Sequence, residues 1–427
     1  MSLRDIFVTG VVFASLFFIL REPYIGVLVW SWLGYMNPHR LAWGFAYDFP
    51  FAEIVAVTTL VALFASKESK RIPWTRESVL LLIFVMWMFF TTFFAVIPEA
   101  AWFKWDKVWK VQLFVFVTLV LINDPKRLDL LIWVIVLSLG FYGVKGGIFT
   151  ITTGGAHNVL GPQGTLIGTN GEIGTALNMT IPLMRYLQLK TESRWLRYGL
   201  MAAMILTPFA VVGTHSRGAF LGLAAVLLML FLKTRKKVML SIVLGLTVYS
   251  AISFMPEEWK ARMHTIETYE EDASAMGRVE AWKFAIEIAN ERPIVGGGFE
   301  ITAGRHRAAH SIYFQMLGEH GYVGLGLFLL LGITTWMTAS WIRRKVNKDL
   351  DARWMGDLAA MIQVALVGYA VGGAFISQAY FDLFYHLIAA VVILKVLVLQ
   401  RLAGKEQEKP VEWGSALTRT SRLGKGV

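Results

Sequence analysis

Long stretches of this chain carry apolar residues with almost no polar face: 79–96, 130–149, 219–232 and 325–341 are hydrophobic around the whole helical circumference. Such runs must be surrounded by lipid or by a packed bundle. A spanning helix needs roughly 17–25 apolar residues. Candidates fall at 51–66, 78–97, 108–122, 128–149, 171–189, 196–214, 217–232, 237–254, 311–341, 356–376 and 381–400. The stretch 6–36 is interrupted by Arg21-Glu22-Pro23, where proline breaks or kinks a helix. It reads as two short spans or as one broken one. The one polar connection too long for a turn covers 255–310. Within it Val279, Trp282, Ile286 and Ala289 recur at helical spacing and predict an amphipathic helix that ends before Pro293.

The pattern predicts an all-α polytopic membrane protein with about 12 transmembrane helices. Its parts are an N-terminal bundle over 1–254, the long loop 255–310, C-terminal transmembrane helices over 311–402 and a polar tail, 403–427, expected to be disordered. Composition agrees: 56% of residues are hydrophobic and 17% charged, against about 25% charged in soluble domains. No short-period repeat is evident.

The net charge of +11 raises nucleic acid as a partner. The basic residues instead cluster in short connections, at Lys67/Lys70/Arg71/Arg76, Lys126/Arg127, Lys190/Arg194/Arg197, Lys233/Arg235/Lys236/Lys237 and Arg343/Arg344/Lys345/Lys348. All fall on one side if the spans alternate, which is the mark of a cytoplasmic face and not of a nucleic-acid reader. The tail, with Arg401, Lys405 and Lys409, returns there. The other side receives 37–50, 98–107, 150–170 and the long loop, and 150–170 holds no Lys or Arg. The long loop is therefore expected outside the cytoplasm. If 6–36 crosses once, both termini are cytoplasmic and the spans total about 12; if twice, about 13. The N-terminus has little positive charge and no small-residue cleavage site after Leu20, so it reads as a retained membrane segment.

Absent motifs narrow the chemistry. Without Cys there are no disulfides, iron–sulfur clusters or thiolate zinc sites. No Walker loop or dinucleotide fingerprint supports ATP or NAD, and no cofactor is expected. Five of the eight histidines lie between His215 and His320, but their spacing matches no ligand motif and no carboxylate cluster accompanies them, so no metal is expected.

Ionisable residues at a membrane mouth are functional candidates. Thr214-His215-Ser216-Arg217-Gly218 stands where one span reaches the external side and the next begins. Arg217 either snorkels to headgroups or offers a fixed guanidinium fork to an external anion such as phosphate. Arg278, near the start of the loop helix, is either a surface arginine paired with Glu280 or a second anion contact. His310 opens the apolar run after Arg305 and Arg307, on the helical face of Phe314 and Leu317. Its imidazole could take a proton from a hydroxyl. Lys145, near the external end of its span, faces the same cavity or snorkels.

In order, the SRG motif (216–218), GRxxxW (277–282), a Pro-x-x-Gly-x-Gly turn (293–298) and the run His-Ser-x-Tyr-x-Gln-x-Leu-x-Glu-x-Gly (310–321) resemble the O-antigen ligase and polymerase superfamily over roughly 170–400. The N-terminal part is similar to its O-glycosylation ligase subgroup. The resemblance implies a metal-independent, GT-C-like membrane glycosyltransferase of the bacterial inner membrane, with its active site facing the periplasm. Its donor would be a glycan on undecaprenyl diphosphate and its acceptor a sugar hydroxyl of lipid A–core. By position, Arg217 and Arg278 would hold the donor diphosphate and His310 would activate the acceptor, in a single inverting displacement. Arg305, Arg307, His215, Tyr313 and Lys145 are further substrate contacts to consider. The segment 168–172 resembles a family stretch usually richer in Asp and Asn, which leaves Asn170 and Glu172 without a clear role. The motifs do not separate a ligase from a polymerase or a protein O-glycosylation enzyme. A transporter of lipid-linked glycan is the rival of a different class, and no repeated halves with midplane carboxylates support it.

Overall fold

The computed structural model describes residues 2–68, 70–233, 245, 273–302 and 309–407. Among them the regular elements are helical throughout. They are α1 (Leu3–Arg21), α2 (Tyr24–Met36), α3 (Phe51–Ala65), α4 (Arg76–Thr92), α5 (Pro98–Leu121), α6 (Pro125–Thr152) and α7 (Asn170–Lys190). Then come α8 (Arg194–Gly213), α9 (Arg217–Lys233), α10 (Ala273–Glu291), α11 (Ile312–Val346), α12 (Arg353–Gly373) and α13 (Asp382–Gln407). The expected span 237–254 (Gly245 apart), the first part of the long loop, and the tail beyond 407 lie outside the described residues.

The fold is that of a multi-pass helical membrane protein. Six helices are both long and apolar enough to cross a bilayer: α1, α6, α8, α11, α12 and α13. Twelve spans are not reached by that measure among the described residues. The stretch 6–36 divides at Glu22 and Pro23, leaving α2 with 13 residues, and α3 has 15. Helix α5 begins at Pro98, ten positions before the predicted span, and so also includes Glu99, Lys104, Asp106 and Lys107.

Contacts gather several of the basic connections. Arg127 pairs with Glu68 at 2.8 Å, Lys190 pairs with Asp129 and stacks over Trp354, and Arg401 holds Asp349. These bring the basic connections to one end of the bundle. At the other end, the Val159 amide donates to Gly213, Asn170 to Thr214, and Val96 to Gly297.

Helix α13 is the central strut, buried without interruption over 381–394. Its polar residues Asp382 and His386 are buried with the apolar ones, which a lipid-facing position would not favour. Around it, small residues bring backbones together, as expected where packing and not water exclusion drives association. On α6, Gly143 and Gly147 lie against Thr207 and Leu206 of α8. Where α7, α9 and α12 meet, a side chain on Gly222 would begin 3.2 Å from the Gly368 carbonyl, and the Asn178 amide donates to the Ala219 carbonyl at 2.7 Å. That bond fixes the start of α9.

The predicted span 311–341 is not one straight helix. Gly321 has φ 69 and ψ −172, and α11 breaks there. A break strands backbone groups, which is expensive in a membrane unless they find partners. The turn after α10 supplies them. Gly297 and Gly298 donate to the carbonyls of Gly318 and Glu319, both at 2.8 Å, and the Tyr322 amide donates to Pro293 at 2.9 Å. Trp87 Nε1 donates to the His320 carbonyl at 3.2 Å. The fit requires glycine on both sides. A side chain on Gly296 (φ 65) would begin 2.5 Å from the Gly321 nitrogen, and one on Gly321 would begin 2.5 Å from the Ile294 carbonyl.

Gly321→Ala therefore combines a left-handed backbone with a clash, and is expected to cost about 2–4 kcal/mol. Thermal unfolding in detergent checks this, with Gly326→Ala, which meets open space, near wild type.

Candidate active site

The SRG motif is the tight junction between α8 and α9. His215 turns the chain with φ 53, and Ser216 caps α9 by accepting from the Ala219 amide at 3.3 Å. Arg217 is thus the first residue of α9 and half-buried. A cation is unfavourable at the positive end of a helix. Here it adds to the positive end of the helix dipole, so the spot favours an anion. His215 Nε2 is buried without a hydrogen-bond partner among the described residues, and burial holds its imidazole below the usual range. Asn170 and Glu172 have structural work. Asn170 Nδ2 donates to the Thr214 carbonyl at 3.0 Å, and Glu172 closes a capping box by accepting from the Thr169 amide at 2.9 Å.

The loop helix forms as predicted but is set differently. It begins at Ala273, so Arg278 lies in its second turn. Its buried face is Ala281, Ala285 and Ala289, while Ile286 is exposed. The reason is proximity: Gly318 of α11 lies against the Ala285 backbone, and only small residues allow that approach. Trp282, one turn after Arg278, is the anchor. Its ring stacks on Phe314 at 5.0 Å, and its Nε1 donates to the Ala309 carbonyl at 2.8 Å, next to His310.

His310 is not on a helical face with Phe314 and Leu317. It has φ 45 and precedes the helix, for which Ser311 is the N-cap. Its amide, which no helical turn would satisfy at this end, donates to Ser377 Oγ at 2.8 Å. The imidazole is held below its ordinary value, first by desolvation against its neighbours and then by the positive charge of Arg278. Both effects disfavour the charged imidazolium.

Ser377 belongs to a segment that the sequence pattern passes over, the strap 374–381 between α12 and α13. Ile376 packs on Gly171, which also faces Ser216, and Phe375 packs on Gly218. Gln378 Nε2 donates to the Leu166 carbonyl at 2.9 Å. The strap therefore touches both the Arg217 turn and His310. Its signal was the polar pair Ser377-Gln378 interrupting apolar sequence, which reads as an ordinary turn between spans.

Two family models match the chain. Residues 3–191 match a family of unknown function (DUF5935), and residues 202–329 match the model described as O-Antigen ligase. The chain carries an O-antigen ligase family domain. This supports its place in the O-antigen ligase and polymerase superfamily and, coarsely, a membrane glycosyltransferase-type enzyme. No curated protein matches the chain.

The O-antigen ligase domain contains Arg217, Arg278, His310 and the break at Gly321, but stops short of the strap. Other candidates separate from this group. The Tyr313 hydroxyl donates to the Ala370 carbonyl of α12 at 2.9 Å. Lys145 is exposed, its ammonium 6.0 Å from the Phe141 ring centroid, which fits snorkelling. Arg305 and Arg307 lie outside the described residues. Among the described residues no three His, Asp or Glu side chains gather as a metal site would require.

Removing the neighbouring cation tests the coupling. Arg278→Gln is expected to raise the pH at which His310 protonates, moving it back toward an ordinary imidazole. Histidine side-chain NMR as a function of pH reads this directly.

Proposed function

We propose that this protein is an O-antigen ligase, transferring a glycan from undecaprenyl diphosphate to a sugar hydroxyl of lipid A–core on the periplasmic face of the bacterial inner membrane. The observation that carries the reading is the O-antigen ligase domain, within which Trp282, one turn after Arg278, is anchored to the Ala309 carbonyl beside His310, against a strap that also touches the Arg217 turn. Arg217 and Arg278 bind the donor diphosphate through planar forks and neutralise the charge that grows on it as the glycosidic bond breaks. His310 takes the acceptor proton as the hydroxyl attacks the anomeric carbon from the opposite side, so the reaction inverts. No step needs a metal.

A neutral imidazole is the active form. Activity should fall as the pH drops through the His310 value, which lies lower than for a free imidazole because of desolvation and Arg278. Purified protein given lipid-linked glycan and separate acceptors provides the assay, and EDTA should leave it intact. His310→Ala is expected to lower transfer at least about 1,000-fold, near the upper part of the range for a lost general base. Arg217→Lys keeps the charge but loses the fork, and about a 100-fold loss with normal expression is expected. Near-wild-type rates in either variant would refute the assigned roles. Lipid A–core as the productive acceptor supports the ligase; a second lipid-linked glycan would make the enzyme a polymerase, and a protein hydroxyl a protein O-glycosylation enzyme.

Orientation is separately testable, because the chain has no Cys to remove. In intact cells with a permeabilised outer membrane, Lys283→Cys should react with an impermeant maleimide. Lys348→Cys should react only after the inner membrane is opened. The reverse pattern would put the site in the cytoplasm.

A further inference from the structure

Beneath the proposed site lies a polar cluster that the transfer mechanism does not use. Glu319 is 5% exposed and sits two residues before the break in α11. Its Oε1 accepts from the Glu300 amide at 3.1 Å, and its Oε2 accepts from the Tyr380 hydroxyl. That hydroxyl is also 2.8 Å from His320 Nε2, and His320 Nδ1 is 2.7 Å from Thr91 Oγ1 on α4. Phe299 closes the cluster, its ring 4.6 Å from His320 and 5.0 Å from Tyr380. At the edge, Lys104 pairs with the Glu300 carboxylate at 2.8 Å and lies over the Tyr380 ring.

These contacts join the pieces of chain that carry the site. Glu300 ends the turn that follows α10, the helix bearing Arg278, and is held at φ 55 with its amide on Glu319. A non-glycine residue keeps that conformation only when its surroundings impose it. Tyr380 ends the strap that holds His310. The strap is fastened to the start of α11 at three levels: the His310 amide on Ser377 Oγ, the Ala379 amide on Gln315 Oε1 at 3.2 Å, and Tyr380 on Glu319. The His, Gln and Glu of the 310–321 run each hold one level, and Gly321 receives the turn that leads to Glu300.

We propose that Glu319 is a positioning residue: through Glu300 and Tyr380 its buried carboxylate sets the placement of Arg278 relative to His310 and the strap. The inference rests on the roles proposed above for Arg278 and His310. It assigns Glu319 no contact with substrate. It predicts that loosening the carboxylate lowers turnover of correctly bound substrate, since about 1 Å of misplacement can cost on the order of 100-fold in rate.

The test uses the full-length protein in nanodiscs with undecaprenyl-diphosphate-linked glycan and lipid A–core. Tyr380→Phe and Glu319→Ala are expected to lower kcat at least about 10-fold while the donor KM stays within about twofold. Glu319→Gln, which keeps an acceptor for the Glu300 amide and a polar partner for Tyr380, should restore kcat to within about threefold. Hydrogen exchange without substrate should quicken at the His310 and Ala379 amides in Tyr380→Phe, at unchanged thermal midpoint. Unchanged exchange and kcat in Tyr380→Phe would overturn the proposal, as would losses that only track a fall in folded protein. Should Glu319→Ala fail to fold, Tyr380→Phe and Glu319→Gln still decide the matter. If wild-type protein transfers no glycan, the functional reading fails by itself, and the exchange measurement still tests the structural tie.

Discussion

The architecture depends on one interaction, the seating of the turn at 293–298 in the break of α11. A helix interrupted where it is buried leaves amides and carbonyls that need protein partners. In this protein a second segment, itself irregular, satisfies them: Gly297 and Gly298 face Gly318 and Glu319, and Pro293 faces Tyr322. Neither irregular segment would be stable alone in an apolar medium. Together they form a joint in which each completes the other's hydrogen bonding, and it tolerates no side chain at Gly296 or Gly321.

The joint explains how a loop can hold the candidate residues firmly. Helix α10 carries few residues that could bury deeply, and its contact face is alanine. Its position comes from its two ends of attachment: Trp282 on Ala309 and Phe314, and the turn in the α11 break. Arg278 lies on the helix so secured. His310 is secured from the other direction, by the strap that α12 and α13 present. A site on loops thereby gains the rigidity usually supplied by regular elements.

The same economy appears at the Arg217 turn. Ser216 caps α9, Thr214 accepts from Asn170, and Gly171 and Gly218 leave room for Ile376 and Phe375. Small and polar residues there serve close approach and capping, and the half-buried arginine opens α9 beside them. Conformations of φ 53 at His215 and φ 45 at His310 belong to this pattern, since both residues flank the candidate site and are held by tertiary contacts.

Much of this was legible in the sequence. Hydrophobic runs without a polar face require helices in a membrane, because nothing else satisfies both side chains and backbone. The proline at position 23 divides α1 from α2, the loop helix stops before Pro293, and the basic connections collect at one end, as charge asymmetry requires. The motif residues Arg217, Arg278 and His310 stood out as ionisable residues. Span number was less legible, since hydropathy does not reveal where a helix begins: α5 starts among charged residues, and α3 stops after 15. Other features came from distant partners alone. Ile286 lost the contact face to alanine because α11 approaches too closely. His310 precedes its helix at φ 45, with its amide held by Ser377, 67 positions away. The strap and the Glu319–Tyr380 tie are long-range pairings that no local period encodes. Local chemistry thus determined which residues could react and which segments must be helical, while only the packed bundle decided which of them meet, because a backbone group in an apolar interior bonds to whatever partner the fold delivers.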